Sequence, residues 1–205
     1  MPRDLLKKAL LLSYITVGYN IIEGVMSLIA GALAGSIALT GFGLDSFVES
    51  LSGMIMVWRL RHHDRLDGET EERMERRALK LIGATFFIFG GYVLYESVRK
   101  LYLAEIPEPS LFGIIIVLAS LVVMPVLFIQ KFRIGKTLGL KSLIADSKET
   151  LACVLLSASL LVGLSLNYFW RLWWADPLIG LLIVYFLVRE GIEVFDEGEE
   201  NHQQW

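Results

Sequence analysis

The chain has 205 residues, of which 55% are hydrophobic and only 20% are charged. Soluble domains of this length carry about 25% charged residues, so the composition favours a membrane protein. The net charge of −3 and the basic residues scattered over several loops do not indicate nucleic-acid binding. The single cysteine, Cys153, excludes an intrachain disulfide framework and a zinc fold built on four cysteines.

Six apolar segments are long enough to cross a hydrocarbon core of roughly 30 Å, which takes about 20 helical residues. They run approximately over residues 10–33, 37–58, 79–98, 111–130, 143–169 and 174–195. The first has a basic start, as a signal peptide does, but no convincing cleavage site follows it. The sequence therefore predicts an all-α integral membrane protein whose six transmembrane helices occupy residues 1–195.

The charges between the apolar segments predict how the chain is oriented. The longest polar segment, residues 59–78, is interpreted as a cytoplasmic loop whose acidic and basic run forms a solvated helix. Fifteen of the 19 basic residues lie on the side of this loop, Arg99, Lys100 and Arg171 lie on the other, and Lys148 lies inside the fifth segment. Because Lys and Arg concentrate in cytoplasmic loops, both termini are predicted in the cytoplasm, with the chain in the inner or plasma membrane. Residues 196–205 form a short acidic tail, too short for a folded domain.

Four side chains in the second and fifth segments could form a cation site. Asp45 and Glu49 are four residues apart, as are Glu149 and Cys153, so each pair shares one helical face. At a rise of ~1.5 Å per residue, Asp45 lies near the depth of Cys153, and Glu49 near that of Glu149. If the two helices are neighbours, three carboxylates and a thiol converge near the midplane.

Such a cluster in hydrocarbon would take up protons or be neutralised by a cation, which describes a proton-coupled cation site. Three carboxylates with a thiolate suit Zn²⁺ or Cd²⁺, whereas the carboxylates alone would suit Fe²⁺ or Mn²⁺. A structural polar cluster that joins helices, with Cys153 as a small core residue, is the plainer alternative.

Other polar residues lie near this cluster or at the predicted cytoplasmic surface. Asp146 is predicted as a gate, an outer partner of a ligand, or a plain residue at the inner end of its span. Glu23 is interpreted as an outer-shell or proton-carrying group; the same was considered for Asn20, although interhelical hydrogen bonding explains it more simply. Asp176, before Pro177, is predicted as an N-cap. A further set is either a plain surface patch or a weak accessory metal site: His62, His63 and Asp64.

Three motifs resemble the cation diffusion facilitator family of proton-coupled metal exporters: GSIALTGFGLDSFVES, SLIADSKETLACV and ADPLIGLLIVYFLV. The resemblance implies a dimer of six-helix protomers that transports divalent metal, with Asp45, Glu49, Glu149 and Cys153 as ligands. Many members have Asp–Asp or His–Asp pairs at these positions, so Glu49, Glu149 and Cys153 are departures. The short tail resembles the subgroup without a cytoplasmic carboxy-terminal domain, which implies a homodimer held by its helices.

Two rival functions remain open at this point. A drug or organic-cation antiporter would also use membrane carboxylates, and a non-transporting metal-binding partner subunit would keep the same fold. An enzyme is not indicated, since the sequence has no nucleophile and base pair, phosphate loop or HExxH motif.

Overall fold

The computed structural model describes residues 3–62 and 68–200, and the regular elements in these ranges are all α-helices. The predicted all-α class is therefore confirmed. The helices are α1 (Arg3–Ala34), α2 (Ile37–His62), α3 (Gly68–Leu103), α4 (Leu111–Leu138), α5 (Lys141–Trp170) and α6 (Ala175–Glu200).

Four of the described helices are long and apolar enough to cross a membrane: α1, α3, α4 and α5. Helix α2 carries Asp45 and Glu49 together with several serines, and the apolar part of α6 is flanked by Asp176 on one side and by Arg189 and Glu190 on the other. The prediction of a membrane protein is thus supported by four helices. For α2 and α6, membrane crossing stays a prediction.

The segment predicted as a loop, residues 59–78, is largely helical. Helix α2 continues to His62, and α3 begins at Gly68. The sequence after Gly68 is rich in Glu and Arg, which are strong helix formers and lie four residues apart with opposite charges. Helix α3 is consequently longer than its apolar segment at its amino-terminal end.

The helices pack mainly as three pairs, α1 with α2, α3 with α6, and α4 with α5. Helix α2 also contacts α3, α5 and α6, so it touches all three pairs, which are further connected by contacts of α1 with α4 and of α5 with α6. A single large apolar core lies between them, with Phe42, Phe86, Met124, Leu156 and Leu187 among its buried side chains. The acidic residues of α2 therefore lie inside the bundle.

Glycines allow α1 and α2 to approach closely beside these acidic residues. A Cβ atom added to Gly43 would lie 3.0 Å from both the carbonyl oxygen of Gly24 and the backbone nitrogen of Leu28. These are backbone atoms, which cannot move aside as a flexible side chain would. Position 43 thus favours glycine, because a Cβ there would force the two helix backbones apart by a few tenths of an ångström.

We expect Gly43→Ala to destabilise the protein by roughly 1–3 kcal/mol, the usual cost of overpacking. Gly18→Ala is the matched control, because a Cβ there meets nothing within 4 Å and alanine favours the helix. Thermal unfolding of the detergent-solubilised protein should show a lower Tm for the first variant and an equal or higher Tm for the second. Equal Tm values for all three proteins would contradict this packing.

The N-cap predicted for Asp176 is wrong, because this side chain caps a different helix. Asp176 lies inside the first turn of α6, and its carboxylate accepts hydrogen bonds from the Ser36 hydroxyl and, at 2.9 Å, from the backbone N–H of Ile37. Ser36 Oγ in turn accepts from the N–H of Leu39 at 3.1 Å. The start of α2 is therefore fixed to the start of α6, a long-range contact that the local signal of Asp before Pro177 does not indicate.

Candidate metal site

The two acidic residues of α2 are buried in the centre of the bundle. Asp45 is 6% exposed and Glu49 is 5% exposed. On α5, Cys153 is 1% exposed, and Glu149 is half-buried. Ionisable groups at such depth generally mark a pathway or a partner rather than a surface.

A hydrogen bond joins α2 to α5 at the level of these residues. The Thr150 hydroxyl donates to Glu49 Oε1 at 3.0 Å, and the same hydroxyl lies 3.2 Å from the carbonyl oxygen of Asp146. The thiol of Cys153 lies beside the Glu49 carboxylate. Helices α2 and α5 are therefore neighbours at the level of Glu49 and Thr150, as the predicted site requires.

A buried lysine, which sequence reasoning assigned to the cytoplasmic flank, completes this contact. Lys131 of α4 is 0% exposed, and its Nζ lies 2.8 Å from Asp146 Oδ2 and 3.2 Å from Thr150 Oγ1. Asp146 is therefore not a plain residue at the inner end of its span, because it forms a buried ion pair. The sequence gives no signal for this, since Lys131 stands among other basic residues.

Helix α1 contributes Glu23 to the same interior. Glu23 Oε2 accepts a hydrogen bond from Ser46 Oγ of α2 at 3.0 Å, so this carboxylate touches the helix that carries Asp45. Asn20 is also fully buried, but neither its Nδ2 nor its Oδ1 has a hydrogen-bond partner among the described residues. The interhelical hydrogen bond predicted for Asn20 is thus wrong for this conformation.

Helix α6 adds a carboxylate that sequence reasoning did not single out. Glu190 is half-buried and lies close enough to Glu149 and Asp45 to interact with both electrostatically. Its signal in the sequence is an acid inside the sixth apolar segment. Helices α1, α2, α5 and α6 therefore all direct acidic groups toward the interior.

These groups do not form a closed coordination shell in this conformation. Within the ranges 3–62 and 68–200, no three His, Cys, Asp or Glu side chains are arranged so that they could hold one metal ion. His63 and Asp64 lie outside the described residues, as does the side chain of His62. The accessory site suggested for these three residues stays a prediction.

Apolar helices that bury acidic side chains of α2 and α5 at their centre are typical of membrane proteins that bind cations. The chain belongs to the cation efflux family: the model of the cation efflux transmembrane domain matches residues 13–198. Members of this family are transporters, not enzymes, and the predicted family is confirmed.

Individual relatives are distant in sequence. The chain is 24% identical over 189 residues to transmembrane protein 163 of Xenopus laevis, with 92% of this chain and 66% of that protein covered. It is 25% identical over 196 residues to the cadmium, cobalt and zinc/H⁺–K⁺ antiporter of Bacillus subtilis, covering 92% and 60%. It is 21% identical over 155 residues to the magnetosome protein MamB of a Magnetospira species, covering 74% and 52%. The chain thus spans about two-thirds or less of the length of these relatives.

Proposed function

We propose that this protein exports divalent metal ions, Zn²⁺ or Cd²⁺ in first place, in exchange for protons across the cell membrane. Asp45, Glu49, Glu149 and Cys153 are the proposed ligands. The observation that carries the proposal is the hydrogen bond from Thr150 to Glu49, which brings the acidic face of α2 against the face of α5 that carries Cys153. The Bacillus relative, named as a cadmium, cobalt and zinc antiporter, supports the class of substrate.

The exchange follows from the chemistry of the ligands. Carboxylates and a thiol bind metal only when they are deprotonated, so protons and metal compete for the same groups. In the proposed cycle, metal loads from the cytoplasm, the helices rock, and protons arriving from outside displace the metal. Six spans, cytoplasmic termini and a homodimer held by the helices are part of this proposal.

The thiol determines which metal is preferred. A thiolate is a soft ligand and favours Cd²⁺ and Zn²⁺ over Mn²⁺ and Fe²⁺, whereas carboxylates favour the harder ions. Cys153 is therefore the proposed selectivity residue of the set. If it is only a packing residue, the site is acidic throughout, and Mn²⁺ or Fe²⁺ becomes the expected substrate.

We expect Cys153→Ser to lower the ratio of Cd²⁺ to Mn²⁺ transport by about tenfold, because serine retains the size but not the soft ligand. Flux is measured in proteoliposomes with a metal-sensitive dye inside and a panel of Zn²⁺, Cd²⁺, Mn²⁺ and Fe²⁺ outside. Cys153→Ala is the companion variant, because it removes the thiol without adding a hydroxyl oxygen.

The same assay separates the rival functions. No flux of any metal by the wild-type protein would favour a binding subunit, and ethidium flux without metal flux would favour an organic-cation antiporter. An unchanged Cd²⁺ to Mn²⁺ ratio in both Cys153 variants would make the thiol a packing residue.

A further inference from the structure

Lys131 is the basic side chain that the bundle encloses most completely among the described residues. The side chain is 0% exposed and lies between α4 and α5. A buried charge costs several kcal/mol unless it is paired and hydrogen-bonded, so a lysine here needs compensation. Other lysines of the same region, such as Lys136 on α4, keep their side chains exposed.

The compensation comes from the helix that carries two of the proposed ligands. Nζ of Lys131 forms an ion pair of 2.8 Å with Asp146, three residues before Glu149. It also donates to Thr150 Oγ1 at 3.2 Å, and the Thr150 hydroxyl donates onward to Glu49 at 3.0 Å. Lys131, Thr150 and Glu49 thus form one chain of hydrogen bonds that leads from α4 through α5 to α2.

The ammonium group therefore acts on the proposed site in two ways. Because the two hydrogen bonds are 3.2 and 3.0 Å long, Nζ lies within about 6 Å of Glu49 Oε1, a range in which charges interact strongly. By donating to Thr150, Lys131 also leaves the Thr150 proton directed at Glu49, which orients that carboxylate.

We propose that Lys131 is a fixed counter-cation that weakens metal binding at the site and so allows the metal to be released. This inference rests on the proposed function, since it concerns the affinity of the same site. A divalent ion that approaches Glu49 is repelled by the ammonium and attracted by Asp146. The affinity of the site for metal thus depends on the balance between the positive charge of Lys131 and the negative charge of Asp146.

The test is a double-mutant cycle on the metal dissociation constant of the purified protein in nanodiscs, measured with Zn²⁺ and Cd²⁺ by calorimetry. Lys131→Gln should lower Kd by about tenfold and slow turnover, because it removes the repulsive charge while Asp146 remains. Asp146→Asn should raise Kd by about tenfold. The double variant should return to within about threefold of the wild-type Kd.

Two further variants control for structure. Lys131→Arg keeps the charge and should have a Kd nearer to the wild-type value than Lys131→Gln has, whereas Lys136→Gln removes an exposed charge from the same helix and should change nothing. A purely structural role would move both single variants in the same direction and lower their Tm. If the Lys131→Gln protein does not fold, the double variant compared with Asp146→Asn measures the same effect.

The failures of the two proposals are distinguishable. Equal Kd values for wild-type and Lys131→Gln proteins, with flux intact, would overturn the role of Lys131 and leave the transport function standing. Parallel weakening by both single variants would overturn it as well. A wild-type protein that binds and transports no divalent metal would instead overturn the proposed function itself.

Discussion

Asp45→Asn is expected to reduce metal flux by more than about 100-fold. Even the outer partners of metal ligands cost 10- to 100-fold when they are changed, so the loss of a direct ligand should exceed that range. Asparagine matches aspartate in size, and Asp45 is buried on α2, so the variant removes a charge with little change of packing. Flux into dye-loaded proteoliposomes measures the effect.

Ser50→Ala is the matched control for this variant. Ser50 is also buried on α2, but its hydroxyl donates to the carbonyl oxygen of Ser46 within the same helix, at 2.9 Å. Its flux should stay within about twofold of wild type, as expected for a change that touches no ligand. Flux by Asp45→Asn above a tenth of the wild-type rate would show that this carboxylate is not a ligand.

The α-helical class and the buried acidic face of α2 could be predicted from the sequence. Both depend on spacing along one helix: Asp45 and Glu49 are four residues apart, so any helix places them on one side. Their burial follows as well, because charged groups in an apolar helix are directed away from lipid. Local rules were sufficient for these features.

Contacts between helices could not be predicted in the same way. Lys131 looked like a flank residue, and only the packing of α4 against α5 places it beside Asp146. The closeness of Glu190 to Glu149 likewise depends on how α6 packs against α5. Such pairings are set by which helices are neighbours, and the distances along the chain carry no information about that choice.

The contact of Asp176 with α2 is the second large effect we expect from a single change. Asp176→Ala removes two hydrogen bonds to a buried carboxylate, each contributing about 1.5–3 kcal/mol, and leaves the Ile37 N–H without its partner. A net loss of about 3 kcal/mol corresponds to a fall in Tm of roughly 10 °C for a chain of this size. Thermal unfolding followed by tryptophan fluorescence in detergent measures it.

A graded series separates the cap from unspecific damage to α6. Asp176→Asn keeps one oxygen acceptor but loses the charge that favours a helix amino terminus, so it should cost less than Asp176→Ala. Ser36→Ala removes the hydroxyl that donates to Asp176 and also the acceptor of the Leu39 N–H, so it should be destabilising as well. Asp176→Ala should cost most. Tm values equal to that of the wild-type protein for Asp176→Asn and Ser36→Ala would contradict the cap.

The cap also bears on the metal site, because α2 carries Asp45 about two and a half turns beyond Ser36. If the start of α2 is released from α6, the helix loses one of the contacts that hold its position, and we expect Asp45 and Glu49 to shift relative to α5. We therefore expect Asp176→Asn to weaken metal binding even at temperatures well below its Tm. Gly43→Ala, which crowds α1, should lower Tm as well. Metal binding by Asp176→Asn at wild-type affinity would limit the role of the cap to stability, since the helix would then keep its position without it.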